Sequence, residues 1–435
     1  MPADNYSATT PGNNKLLVTL YAAAVSFLTY AVVYAFRKPF TAATFDGMQF
    51  AGISYKVCLV ISQAVGYTLS KFYGITFISG LKRLGRWKMI LLLVGIAWMA
   101  LLLFAIVPAP YNIIFLFING FPLGMIWGIV FSYIEGRRAN DFIGAVLAVS
   151  FIFSSGFVKS VASYIMLHWA VSEFWSPFIT GLVFIIPLAL LLYLLEKIPP
   201  PSATDLAARK KREPMTKTER QKLIIAFLPG LTVLIIIYVF LTIFRDVRDN
   251  FAADIWKELG FSSQSAVFTS TEIPVTLAVL GIVALLVFIK NNFSAFLAAH
   301  FLVAAGFLIS GASTYFFLRY QLSSFNWMLL VGLGLYTAYI PFNCILFERM
   351  FAAFKLNGNV GFFMYLADSF GYLGSIAVLF GKEIFKVKLQ WVPFYSQSVL
   401  VLSVIGIAGT CISCMYFIGK YKKSASIWNN VQPSL

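Results

Sequence analysis

The chain is short of charge. Of its 435 residues, 60% are hydrophobic and only 11% are Asp, Glu, Lys or Arg, where a soluble domain carries about 25%. No water-soluble fold hides that much apolar surface behind so little polar cover. Histidine is nearly absent, at two residues, and cysteine is scarce, at four. Cys58, Cys344, Cys411 and Cys414 all fall in apolar runs, and Cys411 and Cys414 have no other metal-ligand type nearby. The pattern argues against a disulfide framework and against a zinc site. There is no HExxH, no nucleophile elbow and no phosphate-cradling glycine loop, so neither a membrane enzyme nor a cofactor is expected. The apolar–polar alternation of barrel strands is also missing.

What is present is a series of long, unbroken apolar runs. A bilayer core needs about 20 such residues per helix, and only helices or closed barrels satisfy the backbone in lipid. Spans are expected at 16–36, 52–73, 88–107, 111–134, 142–165 and 174–195, then at 223–244, 265–289, 293–317, 326–347, 358–381 and 397–418. The expectation is an all-α membrane protein of twelve helices in two six-helix bundles. Its divisions are an N-terminal tail (1–15), a first bundle (16–196), a basic linker (197–222), a second bundle (223–418) and a C-terminal tail (419–435).

The net charge of +16 does not point to nucleic acid, because most Lys and Arg lie between apolar runs or in the linker and tail. That is how membrane proteins fix orientation. The linker KIPPPSATDLAARKKREPMTKTERQK is strongly basic, and Pro199, Pro200 and Pro201 stop the preceding helix,. It is therefore expected in the cytoplasm, with both termini. Lys82, Arg83, Arg86, Lys88, Arg137 and Arg138 then fall on the same side, as do Lys420, Lys422 and Lys423, while Lys382, Lys386 and Lys388 dissent. The N-terminus lacks a signal-peptide pattern. The expected location is a bacterial cytoplasmic (inner) membrane, with a monomer as the fold-level default.

An internal repeat supports two halves. At an offset of 208, Tyr30 meets Tyr238, Phe36 meets Phe244 and Arg37 meets Arg245. Parallel six-helix repeats are the major facilitator plan, with cargo near the midplane between halves.

Charges inside spans cost at least about 2.5–3.5 kcal/mol on insertion scales, so each needs a partner or a purpose. Tyr30, Tyr34 and Arg37 share one face of a helix by spacing, as do Tyr67 and Lys71,. Phenols with a guanidinium suit an oxyanion, which arginine grips through two parallel hydrogen bonds. One arginine from each half, Arg37 and Arg245, would clamp an anion between them. The alternative for Arg37, Lys38 and Arg245 is that they snorkel to headgroups. Lys159, Arg248, Asp249, Glu272 and Asp368 are candidates for coupling or gating, and Asp368 or Glu272 for carrying a proton.

On these residues the chain resembles the organophosphate:phosphate antiporters of the major facilitator superfamily. Helix 1 offers Y-x-x-x-Y-x-x-R-K (Tyr30, Tyr34, Arg37, Lys38), helix 2 GYTLSKF (Tyr67, Lys71) and helix 7 Arg245. Helix 8 offers SSQSAVFTSTEIPVTL with Glu272, and helix 11 FGYLGS at Phe370–Ser375. The resemblance implies that Arg37 and Arg245 grip the anion while Tyr30, Tyr34, Tyr67, Lys38 and Lys71 shape the pocket. It departs at Lys82, where the superfamily loop has an aspartate, and in helix 5, where Lys159 stands in place of the family's histidine. His168 and His300 do not substitute for it.

The expected function is secondary active transport of a small organic or phosphorylated anion by alternating access, with phosphate exchange or proton coupling. A proton-coupled carboxylate or sugar-acid carrier is the alternative within transport. A non-transporting membrane sensor of a phosphorylated metabolite is the alternative outside it.

Overall fold

The computed structural model describes residues 12–79, 85–135, 137, 140–201, 205, 217–356, 360–384 and 390–431. Outside them lie most of the N-terminal tail and of the linker, together with Lys82, Arg83, Arg138, Lys386 and Lys388.

The first half holds α1 (Gly12–Val33), α2 (Tyr55–Ser79), α3 (Arg86–Ile106), α4 (Ile113–Ile134), α5 (Asn140–His168), α6 (Ser176–Val183) and α7 (Ile185–Glu196). The second holds α8 (Lys217–Asn250), α9 (Ala252–Glu258), α10 (Val267–Val287), α11 (Asn292–Leu318), α12 (Ser324–Cys344), α13 (Leu346–Ala353), α14 (Val360–Ile384) and α15 (Trp391–Val431). Nine of the described helices are long and apolar enough to cross a membrane, and the bent pair α6–α7 makes a tenth. The 25-residue helices α2 and α14 fill the remaining two places of the twelve-helix plan. Leu91, Leu92, Met99, Ile186, Leu190, Leu285, Phe301 and Val404 are exposed. In a chain of this composition such surface faces lipid.

Several boundaries differ from expectation, each for a local reason. The sixth span bends by 46° at Phe184. Pro187 lacks an N–H, and its ring crowds the carbonyl of Val183, where α6 ends,. The first span leaves α-helical geometry at Val33 and becomes a 3-10 turn, Tyr34–Phe36, followed by a second at Pro39–Ala42. Pro39 has no N–H to continue the helical ladder, and in a continued helix its ring would crowd the carbonyl of Ala35,. Arg37 and Lys38 therefore lie beyond α1 rather than on its regular face. The seventh span instead runs unbroken from Lys217 to Asn250, carrying Arg245, Asp246, Arg248 and Asp249 within it. Its start (217–222) and the α15 extension to Val431 are rich in Lys, Arg, Glu and Gln or simply polar, and the first group are good helix formers in water,.

Within the first half α2 packs on α4 and α1 on α5; in the second, α8 packs on α14 and α15 and α11 on α12. The halves meet where α5 lies against α10 and α12, and α2 against α14. The α2–α4 contact is close enough that a Cβ on Gly120 would sit 2.3 Å from the Gln63 carbonyl oxygen. Gly120→Val is expected to push α2 off α4 and destabilise the fold by about 1–3 kcal/mol. The thermal unfolding midpoint in detergent should fall; an unchanged midpoint would contradict this packing.

Candidate functional site

The site begins at the break in α1. Ending a helix leaves carbonyls without intrahelical partners. Here Asn119 of α4 donates to the Phe36 carbonyl at 2.9 Å, and Gln63 of α2 donates to the Arg37 carbonyl at 2.8 Å. Gln63 also donates to the Asn119 side chain at 2.8 Å. These buried amides fix the break and set the direction of Arg37. Its guanidinium stacks over the Tyr67 ring, 3.7 Å from the centroid, and lies 5.7 Å from that of Tyr34. Tyr34 in turn meets Tyr30 edge-on at 5.4 Å. Tyr67 is at the midpoint of α2, so the arginine reaches inward to about 18 Å along that helix from its first residue.

Arg245 arrives from the other half. It lies 4.5 Å from the Tyr339 centroid and 5.9 Å from that of Tyr372. The Tyr372 ring is 5.9 Å from the Tyr67 ring. Two tyrosines, one from each half, thus stand between the two arginines. Tyr372 is at the midpoint of α14, as Tyr67 is of α2, so the group lies halfway along both helices.

The two guanidiniums differ in their partners. Arg245 donates to Asp246 through Nε at 3.1 Å and Nη2 at 2.7 Å, and through Nη1 to the Tyr339 hydroxyl. Tyr339 and Tyr238 share a hydrogen bond of 2.9 Å, and Tyr238 donates to Asp368 at 2.5 Å. Arg37 donates to no acceptor among the described residues, and its Nε is buried without a partner. Lys38, Lys56, Lys159 and Arg248 all have acceptors.

The gating candidates gather one level further out. Asp249 accepts from Lys38 at 2.5 Å and from Lys159 at 2.5 Å, with Ser155 donating as well. Lys38 also donates to Asn250 at 2.7 Å. Phe151, Ser155 and Lys159 are spaced by four along α5 and form one stripe. Phe151 faces Arg245, and the other two face Asp249. Arg248 pairs with Glu272 at 2.6 Å and donates to the Met328 carbonyl. Glu272 packs on Gly156 of α5, where a Cβ would be 2.5 Å from its Cγ. Lys159, Glu272 and Asp368 therefore do not pair with one another; each turns to a residue of α8. The side chain of Lys71 lies outside the described residues.

Among the described residues, four ion pairs join the halves: Lys38–Asp249, Lys159–Asp249, Lys56–Asp254 and Lys257–Asp46. All lie at the face where α1, α5 and α8 end and α2 and α10 begin, opposite the linker. Outside the membrane-spanning segments, the Lys257 hydrogen bond holds the Asp46 carboxyl below its ordinary range. Ser54 N–H donates to Glu383 at 3.0 Å, and the Thr269 hydroxyl to Ser160 at 2.7 Å, again across the halves at this face. The molecule is closed at the linker-distal face.

Sequence reading passed over Tyr339, Tyr372, Asn250, Gln63 and Asn119 as site residues. Tyr372 lay inside the FGYLGS motif. Gln63 and Asn119 were visible as amides within apolar runs, a signal a search for charge alone does not use.

Removing the acid at the centre of this closure leaves two lysines facing each other. Asp249→Asn is expected to cost the closed state about 3–5 kcal/mol, the range for breaking a buried pair. In a cysteine-free background, Thr269→Cys should then react faster with an impermeant thiol reagent; equal rates with and without Asp249→Asn would contradict the closure.

A family model described as a family of unknown function, DUF5690, matches residues 39–420. No curated protein matches the chain. Among solved structures, a D-xylose–proton symporter is similar at 14% identity and TM-score 0.58, covering 92% of this chain and 97% of that one. The nucleoside transporter NupG is similar at 14% identity and TM-score 0.57, covering 92% and 99%. A bacterial homologue of the human lysosomal transporter Spinster, inward-facing and unoccupied, is similar at 12% identity and TM-score 0.56, covering 98% and 100%. At such identities the likeness is one of fold. The chain is a multi-pass membrane protein of the major facilitator fold and belongs to DUF5690, a family of unknown function.

Proposed function

We propose that the chain is a secondary transporter of a small organic anion, received at Arg37 between the halves and moved by alternating closure of the two faces. The observation that carries this reading is the state of Arg37. Arg37 is partly buried, its Nε is enclosed without a partner, and its guanidinium has no protein acceptor among the described residues. Such a cation is costly in a membrane, and an anion supplies what is missing. Tyr67 covers one face of the guanidinium, which leaves its hydrogen-bonding edge for cargo. Arg37 and Lys38 are adjacent, so the anion-binding group abuts the residue that closes the face through Asp249. The likeness of the helix 1, 2, 7, 8 and 11 motifs to organophosphate:phosphate antiporters supports the same placement of the anion. The structural neighbours, a D-xylose–proton symporter and a nucleoside transporter among them, support the transport reading.

The basic linker supports a cytoplasmic position for the linker face and both termini. The closed face is then the outer one, and this state is poised to exchange cargo with the cytoplasm. Phosphate exchange and proton coupling are both compatible with the site, with Asp368 and Glu272 as coupling candidates.

The test is counterflow in proteoliposomes with a panel of radiolabelled organic anions. Arg37→Ala should lower uptake at least about tenfold, since charge-assisted hydrogen bonds contribute about 1.5–3 kcal/mol each. Arg37→Lys should recover part of the loss, because it keeps the charge but not the planar fork. Wild-type uptake by Arg37→Ala would overturn the proposal.

A further inference from the structure

We infer that the site is built for cargo carrying one negative charge, a monocarboxylate rather than a phosphate ester or dicarboxylate, and that Asp246 sets this valence. The inference rests on the anion-carrier reading above.

The repeat makes the case visible. At the offset of 208 that aligns Arg37 with Arg245, Lys38 aligns with Asp246 and Pro39 with Val247. The two arginines are equivalent, but the residue after each is a base in one half and an acid in the other. In the first half Pro39 ends the helix, and Lys38 turns away to Asp249 and Asn250. Arg37 keeps its hydrogen-bonding edge free. In the second half the helix continues through Arg245 to Asn250. Asp246 then lies beside Arg245 and takes its Nε and Nη2 donors on one carboxylate oxygen, while Tyr339 takes Nη1.

The consequence is a matter of charge and of geometry. Arg37 offers one positive charge and an open planar edge, which match one carboxylate in two parallel hydrogen bonds. Arg245 is neutralised in place and its side-on edge is occupied, so a second negative charge on the cargo finds no matching free cation in this arginine pair. The body of the cargo would lie among Tyr30, Tyr34, Tyr67 and Tyr372, which supply ring faces and hydroxyls. Arg245 contributes position and residual donors rather than net charge. The organophosphate clamp implied by the resemblance needs both arginines for one dianion; the Asp246 contact removes one of them.

The test compares anions that share a carbon frame and differ in charge. Gluconate, glucarate and glucose 6-phosphate form one set; lactate, malonate and glycerol 3-phosphate form another. Each competes against counterflow, and each is added to purified protein in thermal-shift measurements. In the wild type the monocarboxylate of the effective set should act at concentrations at least tenfold below its dianionic partners. Asp246→Asn frees Arg245 and should shift that ratio toward the dianions by at least tenfold. Arg37→Ala should abolish the effect of both charge classes. Dianions acting as well as or better than the monocarboxylate on wild type would overturn the valence assignment while leaving the carrier reading standing. An unchanged ratio in folded Asp246→Asn would overturn the role of Asp246. If Asp246→Asn fails to fold, the wild-type ratio alone decides the valence. If no anion of either charge acts on the wild type, the carrier reading falls and this inference with it.

Discussion

A cation held between helices in a membrane must find an acceptor, and the arrangement around Arg37 follows from that requirement. Its neighbours Lys38, Lys56, Lys159, Arg245 and Arg248 each donate to carboxylates, amides, hydroxyls or carbonyls of the protein, although Arg248 Nε is left without a partner. Arg37 is held from behind instead. Pro39 breaks the helix, Asn119 and Gln63 take up the freed carbonyls, and Tyr67 covers one face of the guanidinium. Stacking on a ring stabilises a desolvated cation by about 2 kcal/mol, and it leaves the in-plane donors untouched. The protein thus holds the group in position without satisfying its hydrogen bonds.

The two halves share a sequence pattern at an offset of 208 but use it differently. Arg37 and Arg245 occupy equivalent positions, yet one sits past a broken helix and the other within a continuous one. The continuous helix is the hub of the second half. Along its last turns Arg245 faces Tyr339, Arg248 faces Glu272, and Asp249 faces Lys38 and Lys159. One helix end thereby touches the arginine site, the α10 carboxylate and both lysines of the first half. Rigid-body movement of one half against the other has to separate Asp249 from Lys38 and Lys159. The ion-paired Lys38 and the unpartnered Arg37 are adjacent on the chain.

Much of the architecture was legible in the residues. Long apolar runs, the basic linker with its three prolines and the 208-residue repeat gave the helices, their two groups and the candidate arginines. The breaks were less legible. Pro187 and Pro39 were present in the sequence, but other prolines such as Pro229 and Pro274 sit inside continuous helices, so proline alone does not locate a break. Partners were the least legible. Lys159, Glu272 and Asp368 stood out as charges within spans, but only three-dimensional packing shows that each answers to α8. Neutral side chains that complete the site, such as Gln63, Asn119 and Tyr339, carry no charge to draw attention. The substrate itself leaves no direct trace in residue types, because arginine binds carboxylate and phosphate alike.

The most direct measurement of the proposed site is cryo-electron microscopy of the protein saturated with the anion that acts most strongly in counterflow. The expected result is an acidic group of the ligand in the plane of the Arg37 guanidinium, at the roughly 2.7–2.9 Å spacing of charge-assisted hydrogen bonds, with the Tyr67 ring still stacked behind it and Arg245 still on Asp246. Ligand density elsewhere, or a loaded state in which a protein carboxylate occupies Arg37, would contradict it.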